Sequence, residues 1–179
     1  MAELKVEEGM ETIAVFHALR QYISANEKIR GILLDETENM TDLKKIKNLF
    51  TIGQDVSINR QELSEYPVIQ MFKINDFEHY SAFRLSDMTL AIQVDTKKGD
   101  NATLIGELIP VAINNKFLYY HKEDENGNFD MENGEKVLVA LSPARVVDGR
   151  NIPTNTDGIH GYLLSVRVNV RKSYNQGGR

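Results

Sequence analysis

The chain has no cysteine among its 179 residues. That absence removes disulfide frameworks, thiolate nucleophiles and thiolate metal sites together, and it suits a reducing compartment or a particle that must avoid stray oxidation. No apolar run approaches the roughly 18 residues of a membrane span, so no membrane association is expected. The opening "MAELKVEEGMETI" is acidic and has neither the basic start nor the apolar stretch of a secretory signal. It reads as a protein made in the cytoplasm, with residues 1–9 a flexible lead. Positive charge is in deficit, for a net charge of −5. This speaks against a general nucleic-acid binder, whose affinity comes largely from cations neutralising phosphates, and leaves room only for a local basic patch.

Catalytic signatures are scarce as well. No serine sits in a Gly-x-Ser-x-Gly turn, and neither a phosphate-binding Gly-x-x-x-x-Gly-Lys nor a dinucleotide Gly-x-Gly-x-x-Gly occurs. The four histidines, His17, His79, His121 and His160, are not paired at metal-ligand intervals. The acidic stretch between His121 and Glu135 invites a calcium reading, but counting defeats it. Placing Gly127 or Gly134 at the sixth position of a calcium loop puts Lys122 or Phe129 at the first, where a carboxylate is needed. Asp76 and Glu78 are close in sequence, yet a carboxylate pair without a pocket and a shifted proton affinity is no acid–base device. The expectation is a protein that is not an enzyme, with no catalytic residue, no cofactor and no metal.

What is present describes a globular domain. Hydrophobic residues make up 41% and charged residues 26%, and the length fits one domain. In "METIAVFHALRQYISANEKI" Ile13, Phe16, Leu19, Tyr22 and Ile23 recur at helical spacing, which predicts a long helix that Gly31 ends or breaks. "LLDETENMTDLKKIKNLF" reads as an acidic link into a shorter amphipathic segment, capped by Thr41, with Leu43, Ile46, Leu49 and Phe50 on its buried side. Thr51 to Tyr66 lacks periodicity and is expected to be a loop.

A strand is expected from Pro67 through "VIQMFKI". In "FRLSDMTLAIQVD" Met88, Leu90, Ile92 and Val94 alternate with Thr89, Ala91, Gln93 and Asp95, the pattern of a second strand. The following "NATLIGELIPVAINN" has helical spacing interrupted by Gly106 and Pro110, and is read as a kinked or two-piece helix in preference to a hairpin. "KFLYYHK" and "KVLVAL" then flank residues 123–135, an extended, acidic hairpin tip with Asn-Gly turn signals. Asp148-Gly149 and Asp157-Gly158 are expected to bracket a loop around Pro153. The last strand alternates most cleanly: Tyr162, Leu164, Val166, Val168 and Val170 face one way, and Leu163, Ser165, Arg167, Asn169 and Arg171 the other. Residues 175–179 read as a flexible tail. The order of elements indicates a single α+β domain, a mostly antiparallel sheet with helices packed on one face.

"SPARVVDGR" and "RVNVRK" concentrate Arg145, Arg150, Arg167, Arg171 and Lys172. Two readings stand side by side. One is a polar sheet face or rim that keeps an edge strand soluble; the other is a contact surface for a carboxylate-bearing neighbour or for nucleic acid.

The arrangement resembles the tail terminator proteins of long-tailed bacteriophages. The resemblance is carried by the N-terminal amphipathic helix, the "Glu65-Tyr66-Pro67-Val68-Ile69" strand entry, the strand ending "AIQVDTK", the apolar segment after it and the closing "GYLLSVRVNVRK". It spans most of residues 10–174, departing from the family at about 33–63 and 123–135. It implies a structural virion protein without catalysis or cofactor: a homo-oligomer, in that family a hexameric ring, at the head-proximal end of the tail. Such a ring caps the tail tube protein, docks the head connector protein and lets DNA pass without sequence-specific binding. On that footing Arg167, Asn169 and Arg171 are the expected subunit interface. Another head-tail connector, a head-completion or neck protein, is the nearest alternative. A small hydrolase or ligand-binding domain is further off.

Overall fold

In the computed structural model, which describes residues 11–37, 46–52, 66–78 and 85–171, Val15, Phe16, Leu19 and Ile23 lie buried along one side of helix α1 (Glu11–Ala25). Ile13, expected inside, is 37% exposed; Val15 takes the core position. The helix stops at Asn26, five residues before Gly31. There the Asn26 side chain accepts from the backbone N–H of Lys28 and Ile29, at 3.1 and 3.2 Å, and caps a second helix, α2 (Glu27–Glu36). Gly31 therefore lies inside a helix and ends nothing. Leu33 to Glu36, expected in an acidic link, complete α2, because Ile29 and Leu33 bury one of its sides.

Ile46, Leu49 and Phe50 are buried as expected, and Phe50 opens strand β1 (Phe50–Ile52) where a loop was expected to start. Thr41, Leu43, His79, Lys172, the lead 1–9, the remainder of that loop and the tail 175–179 lie outside the described residues. Strand β2 (Val68–Glu78) runs parallel to β1 and antiparallel to β3 (Leu85–Thr96). Met88, Leu90, Ile92 and Val94 are all fully buried on one face of β3.

Helix α3 (Gly99–Ile113) is continuous. Pro110 neither splits nor ends it: the helix forfeits the one bond that residue's own N–H would donate, while the Pro110 carbonyl still accepts from the Asn114 N–H at 2.8 Å. Ile105, Ile109, Ala112 and Ile113 are buried and hold the helix down. Its start is capped from outside: buried Glu36 accepts from the N–H groups of Lys97 and Lys98, at 2.9 and 3.4 Å, and from the Asn101 amide at 2.6 Å. A carboxylate there also complements the helix dipole.

Strands β4 (Tyr119–His121) and β5 (Lys136–Leu138) form the expected antiparallel hairpin as a separate small sheet. Strand β6 (Arg145–Ile152) absorbs Asp148-Gly149, which is no turn. A register shift falls between Val146 and Asp148, and Gly149 leaves room for the Tyr162 ring, since a Cβ there would lie 3.0 Å from its hydroxyl. Asp157-Gly158 does turn, with Gly158 at φ 77°, into strand β7 (His160–Arg171).

The main sheet has the order β1-β2-β3-β7-β6, antiparallel except for β1 and β2, with helices on one side in a single α+β domain. The final strand is thus no edge strand. It lies between β3 and β6, and its Leu164, Val166, Val168 and Val170 form the floor of the core under α3. Gly106 is the point of closest approach, since a Cβ there would run into the Tyr162 ring. Among the described residues no helix is long and apolar enough to cross a membrane.

Candidate functional site: an arginine cleft on the open sheet face

Because side chains alternate along a strand, the residues between the buried valines of β7 point away from the helices. Register then determines their neighbours. Arg167 lies directly opposite Thr89 of β3 on one side and Arg145 of β6 on the other, and Thr89 in turn neighbours Asn75 of β2. One row across four strands therefore reads Asn75, Thr89, Arg167, Arg145. The next row pairs Asp87 with Asn169.

These residues line a cleft of about 600 Å³, together with Ser142 and Pro143. Asn169 is locked in place. Its amide donates to Asp87, its side-chain oxygen accepts from the Ser142 hydroxyl at 2.9 Å, and its backbone N–H donates to the same hydroxyl at 2.9 Å. The start of β6 and the residue before it are pinned to the end of α3: Val146 donates its N–H to the Asn114 side chain at 3.1 Å, and Asn115, at φ 60°, donates its N–H to the Ala144 carbonyl at 2.8 Å. The left-handed conformation is one asparagine tolerates.

Of the expected interface residues, Arg167 and Asn169 line the cleft, whereas Arg171 is exposed on the same strand opposite Leu85, outside the lining. Arg150 lies further along β6, opposite Leu163. Sequence reasoning grouped Arg145 with the basic residues but placed it before a turn. Its pairing with Arg167 is a matter of register between distant segments, and no local signal marked it. The lining offers guanidinium, amide and hydroxyl donors, chemistry suited to holding an anion.

A second polar cluster lies between α1 and the β4–β5 hairpin. Gln21, fully buried, donates to the His121 carbonyl at 2.7 Å and accepts from the His121 N–H at 2.8 Å, completing β4 as a strand neighbour would. Glu123 begins the stretch expected to form a solvated tip, but its carboxylate turns inward to Arg20, Lys47 and Gln21. Burial alone would push the Glu123 carboxyl up; the hydrogen bonds from Lys47 and Gln21 and the charges of Arg20 and Lys47 prevail and hold it below the usual carboxylate range. Burial, with Arg20 and Lys47, lowers His17 against the pull of Glu123. Burial and Lys136 lower His121, against the Asp130 carbonyl that faces its Nδ1 at 3.0 Å and the Asp130 charge. Among the described residues, no three of His, Asp and Glu gather as a metal site.

Comparison with known proteins adds no assignment. No protein-family model matches the chain, and a search of curated proteins finds no match.

Proposed function

We propose that the chain is a structural virion protein, a subunit of a tail-terminator ring that caps the tail tube and joins it to the head connector. The supporting observation is the contrast between the two faces of the sheet. One is covered by helices; the other presents Arg145, Arg167 and Arg171, exposed and, among the described residues, without ion-pair partners. A ring subunit needs a stiff scaffold with two different surfaces, one for each neighbour, and loops for axial partners. In this reading Arg167, Asn169 and Arg171 belong to the subunit interface, DNA passes through the hole, and the protein resides at the head-proximal end of the virion tail after synthesis in the host cytoplasm. No cofactor and no catalytic residue take part. Negative-stain imaging and light scattering, on the protein alone and with purified tail tubes, should show rings with a central hole in at least one condition. A strict monomer in both, with no binding to tubes, rejects the reading.

A further inference from the structure

Opposed residues of an antiparallel pair lie about 5 Å apart at Cβ, and like charges there repel. Arg145 and Arg167 occupy such a pair. Both are exposed, both line the cleft, and neither has an ion-pair partner among the described residues. Asp87, the carboxylate of the lining, already accepts from Asn169 and is engaged elsewhere as well. Asp148 shares the open face but joins neither arginine in an ion pair. Two arginines thus stand opposite each other across the strands, both lining the cleft and neither ion-paired among the described residues. An incoming carboxylate placed between them relieves the repulsion and gains bidentate, charge-assisted hydrogen bonds.

The chain carries matching groups elsewhere. Residues 123–135 hold six carboxylates and no lysine or arginine. Four of them have intramolecular work: Glu123 is tied to α1, Asp124 accepts from Asn126 and Asn128, Asp130 from Glu132 and Asn133, and Glu135 from Lys122. Glu125 and Glu132 are exposed and have no ion-pair partner among the described residues. Each sits in a turn already stiffened by its aspartate neighbour, so docking immobilises little further chain. The edge strand β6 bears Arg145, Asp148, Arg150 and a register shift, features that discourage edge-to-edge pairing. Contact through the sheet face is favoured instead.

We infer that the Arg145–Arg167 cleft receives Glu125 or Glu132 from the acidic tip of a second copy of this chain. This rests on the ring reading and supplies its contact. Tip and cleft are different surfaces, so the association is head-to-tail, the kind that closes rings.

The test uses two full-length variants, Arg145→Gln with Arg167→Gln, and Glu125→Gln with Glu132→Gln. Both should keep the parent's melting temperature and lose self-association by at least about thirtyfold, the low end for removing one partner of a close charge pair across an interface. Mixed in equal amounts, they should form a dimer that grows no further, because one retains only the tip and the other only the cleft. Parent rings that persist in either variant overturn this contact and leave the ring reading standing. A cleft variant that assembles normally but loses affinity for duplex DNA overturns it in favour of a phosphate-binding face. A parent that stays monomeric, alone and with tail tubes, overturns both.

Discussion

Glu123 and Glu125 are two residues apart and have opposite surroundings: one carboxylate is folded against Arg20, the other is left in water. The difference makes stability depend on pH in a predictable direction. The folded state holds Glu123 below the ordinary carboxylate value of 4.5, so its contribution is complete above that value and is lost as pH falls through the lower, folded one. His17 and His121 are both held below 6.5. The folded state binds fewer protons than the unfolded chain in the window beneath 6.5, and stability declines there on acidification. Thermal melting followed from neutral pH downward should therefore fall in two stages, one beginning near 6.5 and one near 4.5. Glu123→Gln should shrink the lower stage to the part owed to Asp124 and Asp130, whose carboxyls hydrogen bonds from Asn128 and from Asn133 and Glu132 also hold below the usual carboxylate range. At neutral pH it should also cost about 3–5 kcal/mol, because Arg20 is left buried without its anion. A variant that melts like the parent at neutral pH would show that the pair contributes nothing.

At the scale of elements, two glycines in helices should respond to alanine with opposite signs. Gly31 is exposed in α2 with open space where a Cβ would go, so Gly31→Ala should stabilise by about 0.5–1 kcal/mol through the entropy of the unfolded chain. Gly106 faces the Tyr162 ring. There the same substitution forces an overpacked contact costing about 1–3 kcal/mol, which should outweigh its gain in helix propensity. Denaturant titration of both variants checks the pair, and equal signs would refute the packing described for α3. These glycines also mark what the sequence could and could not disclose. Strands β3 and β7 were legible because each buries one face, so Met88 to Val94 and Leu164 to Val170 had to alternate. The break at Asn26 was not, since a side-chain cap carries no Gly or Pro signal. Asp148-Gly149 misled because turn preference is local, whereas Gly149 answers to Tyr162 on the next strand. For the candidate site, Arg167 and Asn169 could be read from the outward face of β7. Arg145 could not, because its place opposite Arg167 depends on a register between segments about twenty residues apart.

For the whole molecule, the acidic tip is bolted at its base through Glu123 and Glu135 and leaves Glu125 and Glu132 exposed. The crest is also tied at one point, through the Asp130 carbonyl that faces His121. Two replacements by a short Asn-Gly turn separate these roles. Exchanging residues 124–134 keeps Glu123 on Arg20 and Glu135 on Lys122. Loop shortening changes closure entropy by only about 0.6 kcal/mol per halving of length, and leaving His121 Nδ1 without its carbonyl costs about 1–3 kcal/mol. Exchanging 123–135 removes Glu123 too and adds the penalty of an unpaired, buried Arg20. The shorter exchange should therefore lower stability modestly, and the longer one should lower it further by about 3–5 kcal/mol. Neither should form rings, since both lack Glu125 and Glu132. The decisive measurement pairs calorimetry with light scattering on the shorter exchange. A folded monomer separates the tip's part in assembly from its part in stability, whereas normal rings would remove the tip from the interface altogether.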